Sequence, residues 1–197
     1  MRVLLVATAC FAAACSAPAE PQPVVRGQAS AVFAGGCFWC TESDFDKVPG
    51  VLSTVSGYSG GKIARPTYKQ VSAGGTGHIE AVRVTYDPRR VSYAQLVMRF
   101  LPTIDPVDDR GQFCDRGDSY RPAIFVANPA ERRAAQVALA AAERRIRQPT
   151  KVAVLPASAF WPAEDYHQDY YKKNPVRYKF YRWNCGRDQR LKALWQR

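Results

Sequence analysis

The chain has 197 residues, 47% of them hydrophobic, and carries six cysteines and a formal net charge of +11. That length builds one domain with its own core, and a domain of this size does not need a disulfide framework to stay folded. The basic balance makes nucleic acid and anionic membrane the partner classes to weigh first.

Residues 1–19 read as an export signal: Arg2 leads an apolar run too short to cross a bilayer as a helix, and small residues follow. Ala12-Ala13-Ala14-Cys15-Ser16 resembles a bacterial lipoprotein cleavage site, although Ala12 stands where leucine is usual. Cleavage there would make Cys15 the lipidated first residue, whereas cleavage near Ala17-Pro18-Ala19 would release a soluble protein. Residues 20–29 read as an extended tether and 30–197 as the folded domain. The expected location is periplasmic, or membrane-anchored at the cell envelope. Export leaves little nucleic acid to bind, so no nucleic-acid partner is expected, and the arginines at 132–133 and 144–147 suit a solvated helix face. With Cys10 and Cys15 set aside, Cys37, Cys40, Cys114 and Cys185 form the redox set, and a working set is at least as fitting as structural bridges.

In chain order, 31–34 reads as a buried strand, and 39–48 as a helix ended by Pro49-Gly50. Residues 51–58 alternate as a strand, and 59–77 form a long glycine-rich loop, a length usually reserved for function. Residues 78–86 are the clearest strand, with Glu80, Val82, Val84 and Tyr86 on one face. Ser92-Tyr93-Ala94-Gln95 is a capping box opening a helix to Leu101. A turn-rich stretch over 102–117 leads to a strand at 123–127. Asn128-Pro129-Ala130-Glu131 then starts a helix to about Arg147. A strand at 151–155 precedes an irregular aromatic stretch, broken by a short helix near 188–195. The order β-α-β-β-α-β predicts an α+β fold, a two-layer ferredoxin-like sandwich with an irregular C-terminal tail.

The chemistry concentrates at Gly35-Gly36-Cys37-Phe38-Trp39-Cys40. Two glycines turn the backbone and deliver Cys37 to a helix start, where free N–H groups and the dipole favour a thiolate. Phe38 and Trp39 make an apolar wall, and Cys40 sits one helical turn on, close enough for a disulfide. Glu80 falls on the apolar face of its strand, where burial would raise its pKa. His78 and His167, the two histidines, suit structural hydrogen bonding better than metal ligation.

Gly36-Cys37-Phe38-Trp39, Gly57-Tyr58-Ser59-Gly60-Gly61, Pro66-Thr67-Tyr68, Gly77-His78-Ile79-Glu80-Ala81-Val82 and Tyr86-Asp87-Pro88 resemble, in order, the signatures of the A-type peptide methionine sulfoxide reductases. Asp115 with Ser119-Tyr120-Arg121, and the stretch from Glu164 to Asn174-Pro175, continue the match, which spans about 30–185. The resemblance implies an α/β two-layer sandwich and reduction of the S epimer of methionine sulfoxide. It makes Cys37 the nucleophile, Glu80 the proton donor, Tyr68 and Tyr120 the phenols on the sulfoxide oxygen, and Asp115 their polar neighbour. Phe38 and Trp39 would hold the S-methyl group. The sulfenic acid formed on Cys37 needs a second thiol. Cys185 resembles the family's C-terminal recycling cysteine, Cys40 is the close alternative, and Cys114 reads as a bystander. No cofactor is implied beyond an external dithiol reductant such as a thioredoxin-like protein; the other partners are oxidised methionine-containing proteins, and a monomer is expected. A thioredoxin-like oxidoreductase using Cys37-x-x-Cys40 explains the thiols but gives Glu80, Tyr68 and Tyr120 no role. A zinc module and a basic binding module explain less still.

Overall fold

A computed structural model describes residues 27–196; the export signal over 1–19 and the tether as far as residue 26 lie outside them. The chain runs β1 (Ala29–Ala34), α1 (Phe38–Phe45), β2 (Val51–Ser59), α2 (Tyr68–Ser72), β3 (Ile79–Tyr86), α3 (Tyr93–Phe100), β4 (Gly111–Gln112) and β5 (Asp115–Arg116). It continues through β6 (Ala123–Val126), α4 (Pro129–Ile146), β7 (Ala153–Pro156), β8 (Phe160–Pro162), α5 (Tyr170–Lys173), α6 (Pro175–Asn184) and α7 (Arg187–Trp195). Among the described residues no helix is long and apolar enough to cross a membrane.

One mixed sheet, ordered β7-β6-β1-β3-β2-β8, organises the fold. Every pairing in it is antiparallel except β6 with β7. Strand alternation sorts its side chains into two clusters. Ala31 and Phe33 of β1 join Val82, Val84 and Tyr86 of β3 in the main core under the helices, whereas Ala34, Ile79, Ala81 and Phe125 form a smaller one with Phe160. Phe33 anchors the larger cluster, its ring 4.8 Å from Phe45 and 5.1 Å from Phe100. Burying a side chain of that size contributes about 1.5–3 kcal/mol.

Local signals fix the helix starts as the sequence predicts. Ser92 Oγ accepts the Gln95 N–H at 3.2 Å while Gln95 Oε1 accepts the Ser92 N–H at 2.8 Å, and Asn128 Oδ1 accepts the Glu131 N–H at 2.9 Å ahead of Pro129. A cap of this kind contributes about 1 kcal/mol.

Three expectations need correction. The loop over 59–77 contains α2, whose start is a second capping box, Thr67 with Gln70. The turn-rich stretch over 102–117 holds the two-residue pairing of β4 with β5, and the supposedly irregular stretch supplies β8 to the β2 edge. The tail from 170 is mostly helical. Leu194 and Trp195 of α7 enter the main core, and the other anchors are polar, which no apolar period marks. Tyr171 donates to Asp46 at 2.6 Å, Arg182 grips both oxygens of Asp44 at 3.0 and 3.1 Å, and buried Arg187 donates to the carbonyls of Gly35 and Thr103 at 3.2 and 2.8 Å.

Gly36 joins β1 to α1 at φ +78°, and a Cβ there would lie 2.5 Å from Cβ of Gln112. Gly36→Ala should therefore cost about 2–4 kcal/mol in stability, from left-handed strain plus the clash. Urea unfolding followed by circular dichroism reads this directly; an unshifted midpoint would refute the tight-turn account.

Candidate active site

The turn at Gly35-Gly36 sets Cys37 as the N-cap of α1. The first free N–H of that helix, on Phe38, donates to Oε2 of Glu80 at 3.0 Å. Cys37 therefore shares the helix start with a carboxyl group, and the thiolate-favouring site expected from the sequence is occupied by Glu80. Glu80 is 3% exposed. Burial raises its pKa to about 8 against the lowering effect of the Phe38 N–H, with Asp115 and Cys40 adding to the rise. It is a neutral acid at physiological pH, as its place on the apolar face predicts.

Cys37 and Cys40 are both free and buried. The Cys40 N–H donates to the Cys37 carbonyl at 3.1 Å, and the two thiols are in hydrogen-bonding contact. Burial, the Cys40 sulfur, and then Glu80 and Asp115 push Cys37 up. The Cys37 thiol brings Cys40 down to about 7 despite burial, helped by the guanidiniums of Arg187 and Arg182. The two thiols therefore act as one pair, with burial holding Cys37 up and the Cys37 hydrogen bond bringing Cys40 down.

Two phenols close on the same point. Tyr68 and Tyr120 hydrogen-bond each other, and both are raised, first by burial and then by Glu80. Tyr68 opens α2, and its N–H donates to Oε1 of Glu164 at 2.8 Å. Oε2 of that carboxylate accepts the Tyr58 hydroxyl at 3.0 Å, and Tyr58 pairs across strands with Glu80. Glu164 thus ties the Tyr68 helix to the strand pair that holds the acid. Asp115, in β5, is raised by burial, with the Tyr181 hydroxyl and Arg187 acting the other way.

The aromatic wall is built as predicted, and it is thicker. Trp39 stacks on Tyr170 with centroids 3.7 Å apart and planes 7° apart, and its Nε1–H donates to Nδ1 of His167 at 3.1 Å. Phe38 lies 4.9 Å from His167 and 5.9 Å from Tyr58. His167 accordingly holds the indole in place. His78 pins the loop after β2: its Nδ1 accepts the Gly61 N–H at 3.2 Å and its Nε2 faces the Ile63 carbonyl at 2.8 Å. Both histidines make hydrogen bonds within the fold, as expected, although Nε2 of His167 is buried without a partner.

Tyr181 of α6 was not foreseen. Its hydroxyl donates to Asp115 and also contacts Cys37, and its ring meets Trp39 edge-on at 5.8 Å. Arg187 and Glu164 were missed as well. Glu164 lies inside a motif the sequence singled out, but no spacing signal marks Tyr181 or Arg187.

Cys114 is not a bystander. It is joined to Cys185 in a disulfide that spans 71 residues, with a Cα–Cα distance of 4.9 Å. The bond runs beside the Asp115–Tyr181 contact: Cys114 precedes Asp115, and the Cys185 N–H donates to the Tyr181 carbonyl at 3.0 Å. Cys185 is thus paired with Cys114, and Cys40 is the thiol in contact with Cys37.

A thiol pair, a neutral carboxylic acid and two phenols converge inside an aromatic wall, which suits attack by sulfur on a group whose oxygen must be protonated. Comparisons with known proteins agree. The family model described as "Peptide methionine sulfoxide reductase" matches residues 29–197. "Peptide methionine sulfoxide reductase MsrA 2" of Caulobacter vibrioides is 50% identical, over 98% of this chain and 97% of that protein. "Peptide methionine sulfoxide reductase MsrA/MsrB" of Vibrio cholerae is 48% identical over 93% of this chain, which spans only 49% of that longer relative. Among solved structures, "Methionine sulfoxide reductase A of Corynebacterium diphtheriae" superposes with a TM-score of 0.70 at 29% identity, covering 82% of this chain and 89% of that one. The chain belongs to the peptide methionine sulfoxide reductase family and is an oxidoreductase of the MsrA type that reduces methionine sulfoxide.

Proposed function

We propose that Cys37 is the nucleophile and that the Cys37–Cys40 pair completes the cycle within α1. The proton of the Cys37 thiol passes to Cys40 along their hydrogen bond, and the freed sulfur attacks the sulfoxide sulfur. Glu80 protonates the oxygen, while Tyr68 and Tyr120 hydrogen-bond it. The S–O bond breaks and the oxygen leaves as water, so Cys37 is joined to the methionine sulfur as a sulfonium. A water then attacks the Cys37 sulfur and that S–S bond breaks. Methionine leaves reduced, Cys37 is left as a sulfenic acid and the proton returns to Glu80. Cys40 then attacks Cys37, expelling water and leaving a disulfide between them. The observation that carries this reading is the buried, neutral Glu80 beside a paired thiol.

Phe38 and Trp39 form the methyl-binding wall, and Asp115, held by Tyr181, orders the polar side. Cys185 is the alternative resolving thiol, but it would enter only after its bond to Cys114 is reduced. The reductant is an external dithiol protein of the thioredoxin kind, with no bound cofactor; support comes from Mxr1 of Saccharomyces cerevisiae, a protein of the same fold known in complex with Trx2. We read the enzyme as a monomer that repairs oxidised exported proteins at the cell envelope, anchored through Cys15 or released after the signal. That location rests on residues 1–19 alone. The four central strands, ordered β6-β1-β3-β2 with α1 and α3 as crossovers, support a ferredoxin-like description of the core.

Cys37→Ser should abolish reduction of a methionine sulfoxide peptide. Cys40→Ser removes the proton acceptor, so it should slow the first step yet still release one methionine per enzyme and leave a Cys37 sulfenic acid that dimedone labels, detectable by mass spectrometry. A Cys37–Cys185 disulfide in that variant, with sustained turnover, would move the resolving role to Cys185.

Glu80 must be protonated to donate, and its pKa is raised to about 8, so the single-turnover rate should fall as pH climbs through about 8. The pair must hold a thiolate, so the rate should rise through about 7 on the acid side. Glu80→Gln should slow methionine release by about 10²-fold or more at every pH. A stopped-flow rate unchanged in that variant would remove Glu80 from the reaction.

A further inference from the structure

Helix α6 faces the catalytic centre on one side and is uncovered on the other. Tyr178, Tyr181 and Arg182 form its inner side. Directly opposite, Val176, Phe180 and Trp183 recur at i, i+4 and i+7 and are 80%, 62% and 67% exposed, with the last two rings 5.9 Å apart. Scattered exposed apolar side chains are ordinary, but three in register along about 10 Å of one helix make a contiguous stripe.

The charge around the stripe is mainly basic, with Asp188 beside Trp183 paired to Arg182 at 2.8 Å. Between Asp169 and Asp188 the chain contains no acid and six basic residues. Arg182 and Lys172 are held by carboxylates of the fold, whereas Arg177 and Lys179 are exposed on the two flanks of the stripe.

We propose that this outer face of α6 docks on an anionic phospholipid surface, lying parallel to it. Val176, Phe180 and Trp183 enter the boundary between headgroups and acyl chains, and Arg177 and Lys179 meet the phosphates. The stripe runs along the exposed outer face of one helix, so it suits a deformable surface. A second copy is disfavoured because the basic flanks would face each other on a chain of net charge +11. Docking uses the side of α6 turned away from Asp115 and Cys37, so the Tyr181 contact stays in place.

The test uses the full chain with vesicles of phosphatidylcholine alone or mixed with phosphatidylglycerol. Sedimentation should show binding to the mixed vesicles that weakens with salt, and Val176→Ser/Phe180→Ser/Trp183→Ser should reduce partitioning by roughly tenfold or more. Brominated acyl chains should quench the wild-type fluorescence by an amount lost in Trp183→Phe. Reduction of a small sulfoxide peptide should be equal in all three proteins, which reports that they are folded. Because all three share one N-terminus, an anchor at residues 1–19 contributes equally to each. Equal partitioning of the triple variant, or quenching that persists in Trp183→Phe, overturns the proposal. So does a stripe-dependent dimer, in the absence of vesicles, by analytical ultracentrifugation.

Discussion

The hydrogen bond from the Phe38 N–H to Glu80 is the constraint on which the site depends. It takes the first donor of the helix start, and it holds the Glu80 carboxyl next to Cys37 in the fold. Burial then does two things at once. It keeps the acid protonated near neutral pH, and it raises the Cys37 thiol, which shares a hydrogen bond with Cys40. A low-dielectric pocket with two groups that cannot both be ionised is poised for a reaction that needs one nucleophile and one donor together.

Around that bond, the fold spends its polar interactions on orientation. Glu164 links Tyr68 to the β2–β3 pair, His167 fixes the Trp39 indole, and Tyr181 holds Asp115. The disulfide between Cys114 and Cys185 runs alongside that last contact as a covalent second rung. It ties α6 to the β4–β5 turn and makes the aromatic wall a fixed surface, which matters where displacement by an ångström changes the reaction rate.

Much of this was legible in the sequence wherever the signal is local. Strand alternation placed Glu80 on the buried face, capping boxes marked the helix starts, and the glycine pair marked the turn before Cys37. What escaped are contacts between distant residues with no periodicity. Tyr181 and Arg187 sit in a basic, aromatic tail whose inner face is satisfied by hydrogen bonds and ion pairs, so it does not read as an amphipathic helix. The Glu80 contact escaped because the helix-start argument counts free N–H groups, and only the folded arrangement reveals that Glu80 claims the first. The pairing of Cys114 was invisible, since spacing along the chain does not report distance in space.

The order in which these parts leave the ribosome follows from the chain's connectivity. Cys37 and its turn are made early, whereas His167, Tyr170, Tyr181 and Arg187, which enclose the site, are among the last residues synthesised. A nascent chain therefore carries the nucleophile without its walls, its buried acid or its neighbouring phenols in place. Reactivity is acquired only when the C-terminal helices fold back, so an incomplete translation product is a thiol-bearing chain and not a working reductase.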